Sequence, residues 1–251
     1  MATVTEIPTT ATEVELPQEV IEEIPPLENG DRLTRSEFKR RYDAMPSLKK
    51  AELLEGIVHL MASPVSHKKH GRPHFQTITW LGQYAATTPG IEGGDNSSLE
   101  LDPDNMPQPD CLLYVTPEFG GTVRFTEDDY VAGAPDLIVE IASSSASYDL
   151  HSKFNVYRRN GVKEYVVWQV RNTTIAWFVL RDSVYEPLAV NAEGIYQSTI
   201  FPGLWLDPTA MVAGDMAAVA RTLTLGISTA EHAAFVASLA AKAASLTKPA
   251  V

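Results

Sequence analysis

Apolar positions recur at helical spacing over His70–Thr88: Phe75, Ile78, Leu81 and Tyr84, with Trp80 beside them, before Pro89-Gly90 ends the run. The pattern predicts an amphipathic helix. Upstream, LTRSEFKRRYDAMP opens on a Thr or Ser cap, carries Glu37 in its first turn and stops at Pro46, which predicts a short helix. ELLEGIVHLMASP then reads as two short strands bent at Gly56. Short extended pieces follow, SSLELD and, past the turn-rich DPDNMPQPD, CLLYVT. In APDLIVEIASSS the β-branched run LIVEI suits a buried strand.

SASYDLHSKFNVYRRNGVKEY next puts Leu150, Phe154 and Tyr157 on one helical face, Arg158 and Arg159 in a last turn, and Asn160-Gly161 as the stop. It feeds into the apolar EYVVWQV, so strand, helix and strand form a βαβ unit. TIAWFVL and VYEPLAV predict a hairpin and FPGLWLD closes the sheet region. From about Thr209 the chain is alanine-rich and reads as helix. The expected fold class is α/β, with a mixed sheet and extra C-terminal strands and helices.

Composition divides the chain further. Residues 1–30 combine Glu, Pro and Thr without an aromatic residue, too little apolar surface to offset the entropy of ordering, so a disordered acidic tail is expected there. A main domain over 31–208 and a helical extension over 209–251 complete the organisation. The opening MATVTEIPTT lacks a basic and an apolar targeting region, and no run approaches the ~18 apolar residues of a transmembrane helix, so a cytoplasmic protein without a membrane partner is expected. Cys111 is the sole cysteine, which excludes an intrachain disulfide and a multi-cysteine zinc site; its apolar neighbours, CLLYV, suit a small core residue.

The formal charge of −12 at first opposes a nucleic-acid partner, because phosphate contacts require cations. Its distribution softens that objection. Residues 1–30 hold seven acids and no Lys or Arg, leaving 20 bases against 25 acids, a net of −5, for the remainder. Local basic grooves around Lys68, Lys69 and Arg72, or around Lys153, Arg158 and Arg159, remain compatible with this balance.

Candidate chemistry centres on Glu52, Asp110, Glu140, Asp149 and Lys153. Glu140 lies inside LIVEI, where a carboxylate without a partner costs several kcal/mol. Strand alternation sets Leu137, Val139 and Ile141 on one face and Ile138 with Glu140 on the other. The partner is either a lysine or arginine, giving a structural ion pair, or a divalent cation such as magnesium. Lys153, one turn before Tyr157 on the next helix, is placed to lean back over the strand end.

Taken in order, ELLEG, MASPVSHKKHG, PQPD, APDLIVEIASSS, YDLHSK, YRRNGVKEYVVW and FPGL resemble the Uma2 family of restriction-endonuclease-like proteins, over about Leu33–Pro208. The resemblance implies the αβββαβ core of the PD-(D/E)XK nucleases. It also implies Mg2+ or Mn2+ as cofactor, DNA as substrate and, by analogy with restriction nucleases, a homodimer. Carried over residue by residue, Asp110 and Glu140 match the metal-binding acids and Glu52 the early acid that helps bind metal. The superfamily's lysine position, two residues past the second acid, is Ala142 here. Lys153 matches the family's relocated lysine, with Asp149 and Tyr157 in orienting roles. The implied activity is metal-dependent endonucleolytic hydrolysis of DNA. The alternative is a catalytically degenerate nuclease fold serving as a binding or structural module.

Three further signals compete. His67, His70 and His74 have spacing open to zinc, but no fourth ligand stands nearby, and a polar helix start is the simpler reading. The serine run Ser143–Ser147 lacks the G-x-S-x-G elbow and reads as a turn whose last serine caps a helix. Trp168, Trp177 and Trp205 sit in apolar strands or beside FPG and read as core.

Overall fold

LIVEI becomes the middle of the sheet. The computed structural model describes residues 23–61, 65–142 and 152–247. Its helices are α1 (Arg35–Asp43), α2 (Arg72–Thr87), α3 (Phe154–Arg159), α4 (Pro208–Ala213), α5 (Met216–Ile227) and α6 (Ala230–Leu246). Its strands are β1 (Ala51–Leu54), β2 (Ile57–Leu60), β3 (Ile91–Asp95), β4 (Leu99–Glu100), β5 (Cys111–Val115), β6 (Arg124–Phe125), β7 (Val131–Ala132), β8 (Leu137–Ala142), β9 (Glu164–Gln169), β10 (Thr174–Arg181), β11 (Val184–Pro187), β12 (Tyr196–Gln197) and β13 (Trp205–Leu206).

The main sheet runs β11-β10-β9-β8-β5-β3, parallel at β8–β9 and antiparallel elsewhere. In chain order α2, β3, β5, β8, α3 and β9 form the expected αβββαβ core, with a small sheet, β4-β7-β6, inserted between β3 and β8. β8 is buried on both faces, and the alternation divides it as the sequence predicts. Leu137, Val139 and Ile141 join a core with α2 and the C-terminal helices, whereas Ile138 and Ala142 pack with Val156 and Tyr157 of α3. Because the side-chain period is two, a one-residue slip would carry Glu140 to the wrong face.

The β1–β2 hairpin and α1 close a third cluster around Phe38, Leu53, Val58 and Met106. Thr34 proves to be the cap of α1, accepting from the Glu37 amide. Mutual amide–carbonyl bonds between Leu53 and Met106 fix the hairpin against the chain leading into β5. This brings Glu52 to the Gln108 amide, two residues before Asp110.

Several expectations shift. Phe75 is 70% exposed, because the buried stripe of α2 runs through Gln76, Thr77, Trp80, Leu81 and Tyr84 and leaves position 75 on the outer side. Most of the expected tail lies outside the described residues, but Leu27 is buried and its amide reaches the Met45 sulfur, so the packed body begins before residue 31. The C-terminal helices are part of the core: Ala210, Met211, Val219, Leu223 and Leu239 pack on the α2 face of the sheet. Among the described residues no single helix is long and apolar enough to cross a membrane; α5 and α6 together reach that length and composition, bent by 65°. Trp168, Trp177 and Cys111 are buried as expected, and burial pushes the Cys111 thiol pKa upward.

Candidate active site

Each of the four main candidates arrives on a different element. Glu52 sits mid-β1, Asp110 immediately before β5, Glu140 within β8, and Lys153 at the N-cap of α3. All are at most 4% exposed. A lysine and three carboxylates withdrawn from water require one another, since an isolated charge there would cost several kcal/mol.

Lys153 reaches the acids. Its Nζ donates to Glu52 Oε1 and to Glu140 Oε1, both at 2.9 Å, so the helix-borne ammonium bridges two strands. The Tyr157 hydroxyl donates to Glu140 Oε1 at 2.8 Å. Burial, followed by the Glu140 and Glu52 charges, raises the Tyr157 pKa well above its ordinary value and keeps it a proton donor. Glu52 Oε1 also accepts from the Gln108 amide at 2.8 Å, whereas Glu52 Oε2 is buried without a hydrogen-bond partner among the described residues.

Asp110 occupies the neighbouring position. Its Oδ2 accepts from the Ile141 amide at 2.7 Å, locking it to the strand that carries Glu140. Its Oδ1 faces His70 Nε2 at 3.5 Å and Lys50 Nζ at 3.7 Å. His74 Nε2 lies 2.8 Å from the Asp110 carbonyl and 2.9 Å from Asp95 Oδ1. His59, the cross-strand partner of Glu52, has its pKa lowered by burial, with Glu52 opposing that shift and Lys153 reinforcing it.

Glu52, Asp110, Glu140, Lys153 and Tyr157 therefore belong to one neighbourhood. Asp149 lies outside the described residues, as do Leu150 and the serine run. Lys50, His70, His74 and Gln108 join the site without having been assigned to it from sequence. Lys50 had a signal, since two residues before Glu52 is the same face of an extended chain. Gln108 had none, because it acts through its backbone amide.

The donor set is hard carboxylate oxygen, the kind magnesium takes, and the orphaned Glu52 Oε2 fits a cation in need of an oxygen. Among the described residues, however, no group of three or more His, Cys, Asp or Glu side chains converges closely enough to hold a metal, His70 and His74 included. Among the described residues, the Lys153 ammonium is shared by Glu52 and Glu140, and Asp110 is held to the strand that carries Glu140.

Residues 35–209 match the Uma2 family, described as "Putative restriction endonuclease". No curated protein matches the chain. Among solved structures, a protein from Anabaena variabilis, titled a putative nuclease belonging to DUF820, aligns with a TM-score of 0.49 and 12% identity, covering 69% of this chain and 97% of its own. Since the family match spans most of the chain, from α1 into α4, the protein belongs to the Uma2 family of restriction-endonuclease-like proteins.

Proposed function

We propose that the protein is a divalent-metal-dependent endonuclease that hydrolyses phosphodiester bonds of DNA at the cluster of Glu52, Asp110, Glu140 and Lys153. The observation that carries this reading is the reach of Lys153 to both Glu52 and Glu140. It answers the difficulty posed by Ala142, because a lysine from the next helix stands among the strand acids.

Asp110, Glu140 and Glu52 are the residues that would hold Mg2+ or Mn2+. When bound, such an ion lowers the pKa of water and stabilises charge on a phosphoryl oxygen. Lys153 places a fixed positive charge beside the acids, where it orients the attacking water or offsets charge on the pentacovalent phosphorus. Tyr157 holds Glu140 in place through its hydroxyl, and the Ile141 amide does the same for Asp110. In the net reaction water adds to phosphorus, one P–O ester bond breaks, and the departing oxygen takes a proton.

The test is plasmid cleavage with Mg2+ or Mn2+, comparing the wild-type protein with Asp110→Asn and Lys153→Ala. Cleavage lost in both variants is expected; equal cleavage by all three proteins would mean contamination and end the assignment.

The second reading, a degenerate nuclease fold kept as a binding or structural module, has one observation behind it: no convergent metal-binding set among the described residues. Calorimetric titration with Mn2+ separates the two. Binding that disappears in Asp110→Asn favours the nuclease, and absence of binding to the wild-type protein favours the module.

A further inference from the structure

Residues 56–91 contain no aspartate or glutamate, in a chain whose formal charge is −12. The same stretch holds Lys68, Lys69, Arg72 and four histidines. At its centre the π-helical turn His67–Gly71 runs directly into α2, so both form one continuous rod. π-Turns of this kind recur at functional sites.

The rod presents different faces to different surroundings. Gln76, Thr77, Trp80 and Tyr84 face the core, while His70 and His74 turn to Asp110 and Asp95. Lys68, Lys69, Arg72 and Phe75 are exposed, and Lys68, Arg72 and Phe75 follow one another at close to helical spacing. None of the three cations is in an ion pair among the described residues, unlike Arg35, Lys39, Arg41, Lys50 and Lys153. Phe75, 70% exposed, is in no ring contact among the described residues. An unburied aromatic beside unneutralised cations suits a partner that offers anionic groups and flat apolar faces together.

We propose that this outer stripe binds single-stranded DNA, with Lys68, Lys69 and Arg72 holding phosphates and Phe75 stacking on an unpaired base. The proposal rests on the nuclease reading only in supposing that the strand then passes to Asp110. Contact between His70 Nε2 and Asp110 Oδ1, at 3.5 Å, joins the stripe to the carboxylates. A duplex keeps its base faces stacked internally, so the stacking part of the surface selects an unpaired strand.

Fluorescence anisotropy tests this in EDTA, where cleavage cannot intervene, with a labelled 15-mer as single strand and as duplex. The single strand is expected to bind more tightly than the duplex, and Phe75→Ala to weaken it roughly tenfold or more. A Lys68→Ser, Lys69→Ser double variant is expected to flatten the salt dependence of log K by about 1.4, near 0.7 for each phosphate contact. All these side chains are exposed, and circular dichroism checks that the variants stay folded. A duplex bound equally well, an unchanged Phe75→Ala, or binding to phosphatidylserine vesicles in place of the oligonucleotide would overturn the proposal. Strand binding that depends on Phe75 without metal-dependent cleavage would support the stripe and remove the nuclease reading. Cleavage indifferent to the stripe substitutions would do the reverse.

Discussion

Removing Lys153 leaves Glu52 and Glu140 as buried carboxylates without the ammonium they share. Breaking a buried pair on one side costs about 3–5 kcal/mol, so Lys153→Ala is expected to lose stability of that order in urea unfolding. A loss below about 1 kcal/mol would show the pair to be solvated, as surface ion pairs are. Tyr157→Phe removes one donor to Glu140 and keeps the ring, so the expected cost is about 1–3 kcal/mol. The same unfolding measurement checks it, and a neutral result would mean that Tyr157 serves by packing alone. At this scale the sequence was informative about identity and silent about partnership. Glu140 could be singled out as an acid within an apolar strand, yet whether it meets a lysine or a cation was open until the fold brought Lys153 to it.

Among elements, the C-terminal helix α6 illustrates how a helix is tied down. Its buried His232 lies 3.0 Å from the Thr88 hydroxyl and packs edge-on against Tyr84. Burial lowers the His232 pKa below its ordinary 6.5, with only a partial offset from the Ile227 backbone. Above pH 6.5 both folded and unfolded chains carry the neutral ring. As the pH falls below 6.5 the unfolded chain gains a proton that the folded one resists, so stability declines toward the lower folded pKa. The urea midpoint should therefore drop between pH 7.5 and pH 5.5, by less in His232→Leu; an identical drop in both proteins would show that His232 is not responsible. Element types were largely legible. The alternation in LIVEI, the Thr34 cap and the Asn160-Gly161 stop follow from local chemistry, and Gly161 adopts a positive φ of 84°. The buried face of α2 differs from the predicted one at Phe75, because period alone does not decide between neighbouring stripes.

For the whole molecule, α4 to α6 complete the core and are not an appendage. Burying an aliphatic or methionine side chain contributes about 1.5–3 kcal/mol, and Met211, Val219, Leu223 and Leu239 are all buried. Ending the chain after Asp207 would expose the sheet face that they cover, at a total cost comparable with the about 5–15 kcal/mol stability of a whole domain. The truncated chain should be insoluble or lack a cooperative thermal transition. A soluble product with a sharp transition would return the segment to the status of an extension. Composition suggested such an extension because alanine-rich sequence carries little sign of what it packs against.

The sequence alone determined the order of elements, the α/β class and the residue types of the site, because periodicity, capping and strand alternation are local and each registers within a few residues. Its ordered motifs also sufficed for the family resemblance. Tertiary structure decided which charges meet. Lys153 reaches Glu52 across a sequence separation of 101 residues, Gln108 supplies only an amide, and Lys50 and His70 converge on Asp110 through separate elements. Such encounters depend on the pairing of the β1 hairpin with the chain before β5 and on the packing of α3 over β8. Both are long-range, so no local pattern in the chain records them.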